Sequence, residues 1–466
     1  MSFQSRMWWR RVCVVAAGMM ALAIGVSPAG AQARRVPVES LIYDLKNPDP
    51  VRRRDAAHEL GIAKYTRAIP DLVAMTQDPD AAVRREVELS LEQMDDISTL
   101  PGFVRFAGDV EKDIRGRAVD ALVNLHVPRW TGPGAAVAKL ASLVNLWPDE
   151  FGDIVVEPDV PVDSSVVEAL RARLADPDRG IRRSASRGLG ILRANVAIPE
   201  LIVAIREDRD DEVRFEAVRA LRKIGDLSVG EQILPMLNFN NDKVRNEIFV
   251  TIGALRYRPA VPELTRVFEQ ARPADRGRSL ALSALADIAD PASGALFLKF
   301  KADKDEIIRL YANEGIARLA NASQKTVISA SRLTEKSVRV QAAQAFALLR
   351  TGASEYLDEL VRALASPTTR DLAKEYLVET EPAMRPALFA ARPEKAALRS
   401  ELADVFGLMN DPSALHALQE LAHDPDSGVA RTAERALRRM NTQARSEARR
   451  QPVGFFGERI TSRDTR

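Results

Sequence analysis

Few residues in this 466-residue chain have the type and spacing that catalysis or metal binding requires. The best candidate is the pair His58-Glu59, because imidazole and carboxylate side chains ligate metal ions. The chain has four His, which are widely scattered, and one Cys, Cys13. It has no Gly-rich phosphate loop, no Gly-x-Ser-x-Gly phrase and no paired Cys and His nucleophile. We therefore expect no catalytic residue, no metal site and no cofactor, and we predict that the chain is not an enzyme.

The elements that would carry such residues repeat along the chain. Three residues after each of twelve repeat positions stands a small or apolar residue, most often Ala, and seven residues after it stands Leu, Ile or Phe. Offsets of 3, 7 and 10 residues share one face of a helix, and a column of Ala marks the close approach of another helix. Apart from one gap of 67, the repeat positions are spaced 29 to 33 residues apart: Arg53, Arg84, Arg115, Arg182, Arg214, Arg245, Arg278, Arg309, Arg339, Arg370, Arg399 and Ala430.

A further helix is predicted before each repeat position. The phrase Ala-Ile/Val-Pro-acid-Leu occurs at 68–72, 197–201 and 260–264. Proline suits the first helical turn, and the acid suits the positive helix end. Asp-Pro turns, such as Asp78-Pro79, join the two helices. Because one helix pair cannot bury its apolar face alone, the pairs must stack. The sequence therefore predicts an all-α, right-handed superhelical α-solenoid of about 12–13 helical hairpins.

These phrases, together with Val-Arg followed by Ala and Leu, resemble the HEAT repeat, in the form named after phycobilisome lyases, over about residues 36–440. The chain is similar to an exported, bacterial-type member of that family. The lyase relatives attach bilins to Cys of client proteins. Another HEAT-repeat family, the deoxyhypusine hydroxylases, binds two irons through His-Glu pairs on successive repeats. The next copy here has Leu89-Ser90 at the positions of His58-Glu59, so this resemblance implies no metal site.

Residues 1–33 have the layout of a secretory signal peptide. Three Arg precede an apolar run of 15 residues, and Ala31-Gln32-Ala33 fits a cleavage site. A spanning helix needs about 20 apolar residues, so a cleaved signal is favoured over a retained anchor. Cleavage leaves 67 − 3 = 64 basic and 65 acidic residues, a balance that argues against nucleic acid. We expect a periplasmic or otherwise exported protein with no transmembrane segment after cleavage.

Beyond the signal peptide, the repeat pattern divides the chain into four parts. We predict N-terminal HEAT-like repeats over 34–127, a degenerate repeat or insertion with an acidic loop over 128–164, C-terminal HEAT-like repeats over 165–440, and a disordered, Arg-rich tail over 441–466.

Aromatic residues in the insertion and in the tail are candidate partner contacts. Trp130 and Trp147 flank the one predicted helix of the insertion, Phe151 lies in its acidic loop, and Phe455 and Phe456 are adjacent in the tail. Aromatic side chains often anchor interfaces, and a disordered tail can order on a partner. Alternatively, the insertion aromatics plug the stack where a repeat has degenerated, and the tail is simply disordered.

The repeated Arg predicts a ladder of Arg–Asp pairs between neighbouring units rather than a polyanion site. Positions one and five residues after the repeat position face away from the core and are expected on the concave side. In the N-terminal copies these positions include a stripe of five candidate partner contacts: Arg54, Arg85, Arg183, Arg187 and Arg219. In the later copies they include Glu314, Asp371, Glu375 and Asp404. A surface running from basic to acidic would complement an extended partner, and ordinary solvation is the alternative.

The sequence thus favours an exported, non-enzymatic scaffold or adaptor that binds protein, as a subunit or assembly factor of a cell-envelope or membrane-associated complex. Two alternatives remain open at this point. One is a chaperone or lyase-like factor for a cofactor-bearing protein, and the other is a polyanion-binding envelope protein.

Overall fold

The computed structural model describes residues 37–127, 154–157 and 160–450, with side chains through Asn441. Throughout these residues the secondary structure consists of α-helices, short 3₁₀ turns and loops, which confirms the predicted all-α solenoid. No helix within these ranges combines the length and the apolar character that crossing a membrane requires.

The α-helices of the described residues form twelve successive pairs, in which odd-numbered helices come first and even-numbered helices second. The first helices are α1 (Val38–Asp44), α3 (Ile69–Ala74), α5 (Leu100–Phe106), α7 (Ser164–Arg173), α9 (Ile198–Glu207), α11 (Val229–Ile233), α13 (Val261–Gln270), α15 (Gly294–Phe300), α17 (Lys325–Arg332), α19 (Leu357–Ala363), α21 (Arg385–Phe389) and α23 (Leu415–Leu421). The second helices are α2 (Pro50–Ile62), α4 (Ala81–Met94), α6 (Lys112–Asn124), α8 (Arg179–Ile191), α10 (Asp211–Ile224), α12 (Asp242–Ala254), α14 (Arg276–Ile288), α16 (Glu306–Leu319), α18 (Val338–Arg350), α20 (Arg370–Val378), α22 (Ala396–Met409) and α24 (Ser427–Arg450).

The polar turn within each unit starts the second helix. The Asp80 side chain accepts hydrogen bonds from the backbone N–H groups of Ala82 and Val83 at the start of α4. Asp178 caps α8 and Asp210 caps α10 in the same way. Such a side chain satisfies N–H groups that have no partner within the helix. The turns predicted from Asp-Pro and Asp-rich phrases are therefore where second helices begin.

The predicted ladder joins neighbouring units. Arg53 donates through Nε and Nη2 to both carboxylate oxygens of Asp78 in the next unit, at 2.7 and 2.9 Å. Its Nη1 donates to the backbone carbonyl of Asn47 in its own turn, at 2.8 Å. The same bidentate pairing to the following unit recurs in Arg84–Asp109, Arg115–Asp176, Arg182–Asp208, Arg309–Glu335 and Arg399–Asp424. Because Arg115 and Asp176 are paired, units 3 and 4 stack directly despite the long gap between them in sequence.

Second helices of successive units pack closely, and more tightly than first helices do, so they form the inner side of the solenoid. Gly190 on α8 shows how close the approach is. A Cβ atom on Gly190 would lie 2.5 Å from the Cα of Ala220 on α10. Gly61 meets Ser90 in the same manner, with 2.7 Å to its Cα. The small residues along this face allow the backbones to come together.

The last helix differs from the predicted boundary at residue 440. Helix α24 continues to Arg450, ten residues into the segment expected to be a disordered tail. The physical reason is local, because Asn441–Arg450 contains no Pro or Gly and is rich in Ala, Arg, Glu and Gln, which favour helix.

Candidate functional site

The first two Arg of the predicted stripe lie on the inner helices α2 and α4. Arg54 is 44% exposed and pairs with Asp55 on its own helix at 2.9 Å. Arg85 is half-buried, and its positive charge slightly offsets the rise in pKa that burial causes in nearby Glu88. These two side chains present positive charge on the inner face of the first two units.

The other three Arg of the stripe are grouped on α8 and α10. Arg187 is 46% exposed and pairs with Glu216 of the next unit at 3.3 Å. Arg183 and Arg187 both lie near Asp120 of the preceding unit and stabilise its charged form. The guanidinium of Arg219 lies 5.4 Å from the ring centroid of Phe215. The stripe is therefore two groups separated by α6, and part of its charge is already compensated.

The remaining predicted contacts fall outside the described residues. These are Trp130, Trp147, Phe151, Phe455 and Phe456, so their role stays a prediction.

Part of the acidic insertion packs against the solenoid. The backbone N–H of Val156 donates to the carbonyl of Ile191 at the end of α8, at 2.8 Å, and the Val156 side chain is buried. Glu157 accepts two hydrogen bonds from Arg439 on α24, both at 2.9 Å. Residues 154–157 thus bridge unit 4 and unit 12. No local pattern in the sequence predicts this bridge, because its two partners are 282 residues apart.

A buried charge cluster lies on the inner side of units 7 to 10. Arg318 on α16 is only 3% exposed in its side chain. It pairs with Asp287 on α14 at 2.9 Å, with Glu379 after α20 at 3.0 Å, and with Glu375 on α20. Glu314, one turn before Arg318, lies 3.8 Å away. We call these five residues the Arg318 cluster.

Burial and charge oppose each other in the Arg318 cluster. Burial raises the pKa of Glu314 to about 7 and that of Asp287 to about 6, although the positive charge of Arg318 lowers both. Burial also lowers the pKa of Arg318, but the attraction of its carboxylates, Asp287 first, outweighs that effect and raises the pKa above its ordinary value. Arg318 therefore stays charged, while Glu314 and Asp287 titrate near neutral pH.

The Arg318 cluster closes over helix α18. Every residue from Ala342 to Leu349 is buried, and four of these eight residues are Ala. Because half of these side chains are as small as Ala, side chains of α16 and α20 contact each other across α18. Their contacts are the pairs of Arg318 and a hydrogen bond from Tyr376 to Glu314, while the Tyr376 ring stacks on Phe346 at 4.6 Å.

This closure interrupts the expected acidic stripe on the later units. Glu314 is 4% exposed, and Val340 and Gln344, at inner-surface offsets on α18, are also buried. Glu375 pairs with Arg318 but is 51% exposed, Asp371 is exposed, and Asp404 pairs with Lys374 at 3.0 Å. The inner face is therefore covered around α18, whereas acidic side chains stay exposed on α20 and Arg side chains stay exposed in the first half.

Another buried carboxylate, Glu88 on α4, lies within the N-terminal units. It is fully buried, and neither carboxylate oxygen has a hydrogen-bond partner among the described residues. Its nearest cation is Arg117, at 3.9 Å. Burial raises the pKa of Glu88 to about 8, so it is neutral at pH 7. The sequence contains one signal for this residue. Four residues after the repeat position this unit has Glu, whereas the adjacent units have Ala57 and Val119.

The metal candidate His58 is engaged in a contact between units. Its Nδ1 lies 2.7 Å from Oε1 of Glu86 on α4. Across the part of the chain that the structure describes, no three or more His, Cys, Asp and Glu residues are grouped so as to hold a metal ion.

A stack of helical hairpins joined by a ladder of Arg pairs defines an α-solenoid. The family model for HEAT repeats matches residues 38–123, 162–222 and 198–286, so the chain contains HEAT repeats over these ranges. Such a repeat scaffold fits a role in protein interaction.

Curated proteins similar to this chain include deoxyhypusine hydroxylases of fungi. The protein of Aspergillus clavatus is 31% identical over 107 residues, which is 22% of this chain and 32% of that protein. The protein of Aspergillus oryzae is 30% identical over the same shares. The match thus spans about a third of the length of these relatives. It contradicts the prediction that the chain is not an enzyme, because the relatives are enzymes.

Solved structures with a similar course of the chain include yeast importin-β, at 11% identity and a TM-score of 0.45, covering 88% of this chain and 57% of that one. The complex of CpcE and CpcF of phycocyanin lyase from Nostoc matches at 21% identity and a TM-score of 0.34, covering 60% of this chain and 94% of that one.

Proposed function

We propose that this chain is an exported protein-binding scaffold, a subunit or assembly factor of a cell-envelope complex. It holds its partner against the inner face of units 1 to 5. The observation that carries this proposal is the asymmetry of the inner face. The Arg318 cluster buries Glu314 and covers α18 in units 8 and 9, whereas Arg54 and Arg187 in the first half remain about half exposed.

The exposed Arg side chains select the kind of partner. Guanidinium groups are enriched in protein interfaces, because they form bidentate pairs with carboxylates and stack on planar groups. The bound surface of the partner is therefore acidic. Such charges raise the rate of encounter, so binding weakens as salt increases. The ladder between units fixes the spacing of the Arg groups before the partner arrives.

The binding face is tested by capture from intact cells. The tagged full chain is cross-linked in cells, purified and analysed by mass spectrometry, beside a variant carrying Arg183→Gln and Arg187→Gln. Arg258→Gln, an exposed Arg before a first helix, is the matched control. We expect the main partner to be lost from the double variant and kept in the control, with equal helix content by circular dichroism. Equal recovery from both variants would refute the proposed face.

Export is tested separately by fractionation and N-terminal sequencing. The signal-like residues 1–33 support an exported mature chain that begins at Arg34. Recovery of the full-length chain from the cytoplasm alone would overturn the proposed location and leave the binding face to be judged by the capture experiment.

A further inference from the structure

The ladder between units lacks its carboxylate at two successive positions, after Arg214 and Arg245, as it also does after Arg339 and Arg370, where Leu364 and Pro393 stand. At the place of the ladder Asp, the turn of unit 6 has Phe239 and the turn of unit 7 has Arg272. Without that carboxylate, Arg214 pairs with Asp211 on its own helix at 2.9 Å. Arg245 similarly pairs within its own helix, with Asp242, at 2.6 Å.

Arg214 is left with unused hydrogen-bonding capacity. Its Nε is buried and finds no acceptor among the described residues, whereas Nε of Arg182 in the preceding unit donates to Asp208 at 2.7 Å. The ring of Phe239 lies 5.2 Å from the Arg214 guanidinium, on the side where the ladder carboxylate stands in other units. Asp211 also accepts a hydrogen bond from Asn241 at 2.7 Å, so it keeps a partner if Arg214 turns away.

Two adjoining clefts open where the carboxylates are missing. The larger, of about 490 Å³, is lined by Arg206, Arg214 and Phe239 together with three Asn residues. The smaller, of about 270 Å³, is lined by Arg245 and Arg266. Asn238 borders both, so the two clefts adjoin. The lining combines four guanidinium groups and amide donors with two carboxylates, Asp211 and Asp275, at the edge formed by the turns, away from the inner face.

We propose that these clefts bind an extended acidic segment of a protein partner. Its carboxylates pair with Arg214 and Arg245, which lack the carboxylate that complete units supply. This inference rests on the proposed role as a protein-binding scaffold and adds a second contact surface. Neighbouring helices pack about 8–10 Å apart, and a polyproline II segment advances about 3.1 Å per residue with three residues per turn, so its side chains three residues apart share one face. Two carboxylates separated by two residues therefore match the spacing of Arg214 and Arg245.

The test measures binding of labelled peptides to the purified full-length mature chain. The probe is a flexible ten-residue peptide with the motif Asp-x-x-Asp, compared with the same peptide carrying Asn-x-x-Asn and followed by fluorescence anisotropy. We expect the Arg214→Gln, Arg245→Gln double variant to bind the acidic peptide at least about tenfold more weakly, because charge-assisted hydrogen bonds are lost. Arg258→Gln, an exposed Arg that lines neither cleft, is the control and leaves peptide binding unchanged.

A second variant tests the cleft without removing an Arg. Phe239→Asp supplies the missing ladder carboxylate within the chain, so Arg214 is occupied. This variant should lose peptide binding while its melting temperature holds or rises. Equal affinity for the Asp and Asn peptides, or unchanged binding by Phe239→Asp, would overturn the inference. If the acidic peptide binds but the capture experiment fails, the proposed function is refuted and the cleft is not. If partner capture succeeds but the acidic peptide does not bind, the cleft alone is refuted.

Discussion

Replacing Arg318 by Met tests whether the Arg318 cluster holds α16 and α20 together across α18. Met keeps an unbranched apolar stem and removes the guanidinium group with its charge and hydrogen bonds. The variant leaves Glu314 and Asp287 without their main counter-charge in a buried place. Breaking a buried ion pair by removing one partner costs about 3–5 kcal/mol, since the other charge stays unpaired. We expect the local free energy of opening to fall by this amount at pH 8.

The loss should depend on pH, with a sign fixed by the pKa shifts. Glu314 and Asp287 already have pKa values raised to about 7 and about 6, and removal of Arg318 raises them further. A carboxyl with a raised pKa in the folded state stabilises the fold at low pH, and that stability is lost as pH rises through the folded pKa. At pH 5.5 both groups take up protons in the variant. About 2 kcal/mol of the loss should then be recovered, at about 1.4 kcal/mol per pKa unit.

The assay is hydrogen exchange followed by mass spectrometry, because long repeat arrays need not unfold in one step. Peptides from α16, α18 and α20 report the local free energy of opening, and peptides from α2 and α4 serve as an internal reference. Arg309→Met is the matched control on the same helix. Its partner Glu335 has a lowered pKa and is ionised at both pH values, so that loss should not change between pH 8 and 5.5. A loss at Arg318 that is below about 1 kcal/mol, or the same at both pH values, would refute this account of the cluster.

Three further perturbations test other parts of the structure. Glu88→Gln should stabilise the fold increasingly as pH rises, by about 3 kcal/mol more at pH 8.5 than at pH 5.5, because the wild-type carboxyl must ionise in a buried place. Chemical denaturation at the two pH values measures this effect. A difference in unfolding free energy between variant and wild type that is the same at both pH values would contradict it. Glu157→Ala should speed hydrogen exchange in α24 and at the end of α8, since it removes both hydrogen bonds from Arg439; unchanged exchange in both helices would show that the bridge contributes nothing. Gly190→Val should lower stability by about 1–3 kcal/mol, because the new side chain meets the α10 backbone. Thermal unfolding measures this loss, with Gly108→Val as the control, because a side chain at Gly108 has room. Equal losses in the two variants would contradict the close packing of α8 and α10.

The repeat could be read from the sequence because each unit is specified locally. The Ala column, the Leu column, the acid in the turn and the repeated Arg lie within one unit or in its immediate neighbour. The pairing of Arg53 with Asp78 spans only 25 residues, and it recurs often enough to be inferred from spacing. The helical hairpins and the ladder were therefore predictable.

The Arg318 cluster was not predictable, because its contacts skip a unit. Arg318 meets Glu379 across 61 residues, because α18, which is buried from Ala342 to Leu349 and rich in Ala, lets α16 and α20 meet across it. Offsets from the repeat position assign Glu314 to the exposed side, and that rule fails where a helix two units further on covers the inner face. The bridge from Glu157 to Arg439 depends likewise on how far the superhelix has turned after eight further units, which small rotations between units determine.

The bridge made by residues 154–157 changes how the solenoid comes apart. A stack in which each unit touches only its neighbours unravels from either end, one unit at a time. Here the terminal helix α24 is tied through Arg439 to a segment that is itself bonded to α8. Fraying at the carboxyl end must therefore first break a contact with the fourth unit, so units 4 to 12 form a closed loop of contacts. The same closure orders folding in time: the contact forms only after the last unit has left the ribosome and units 4 to 12 have stacked in register.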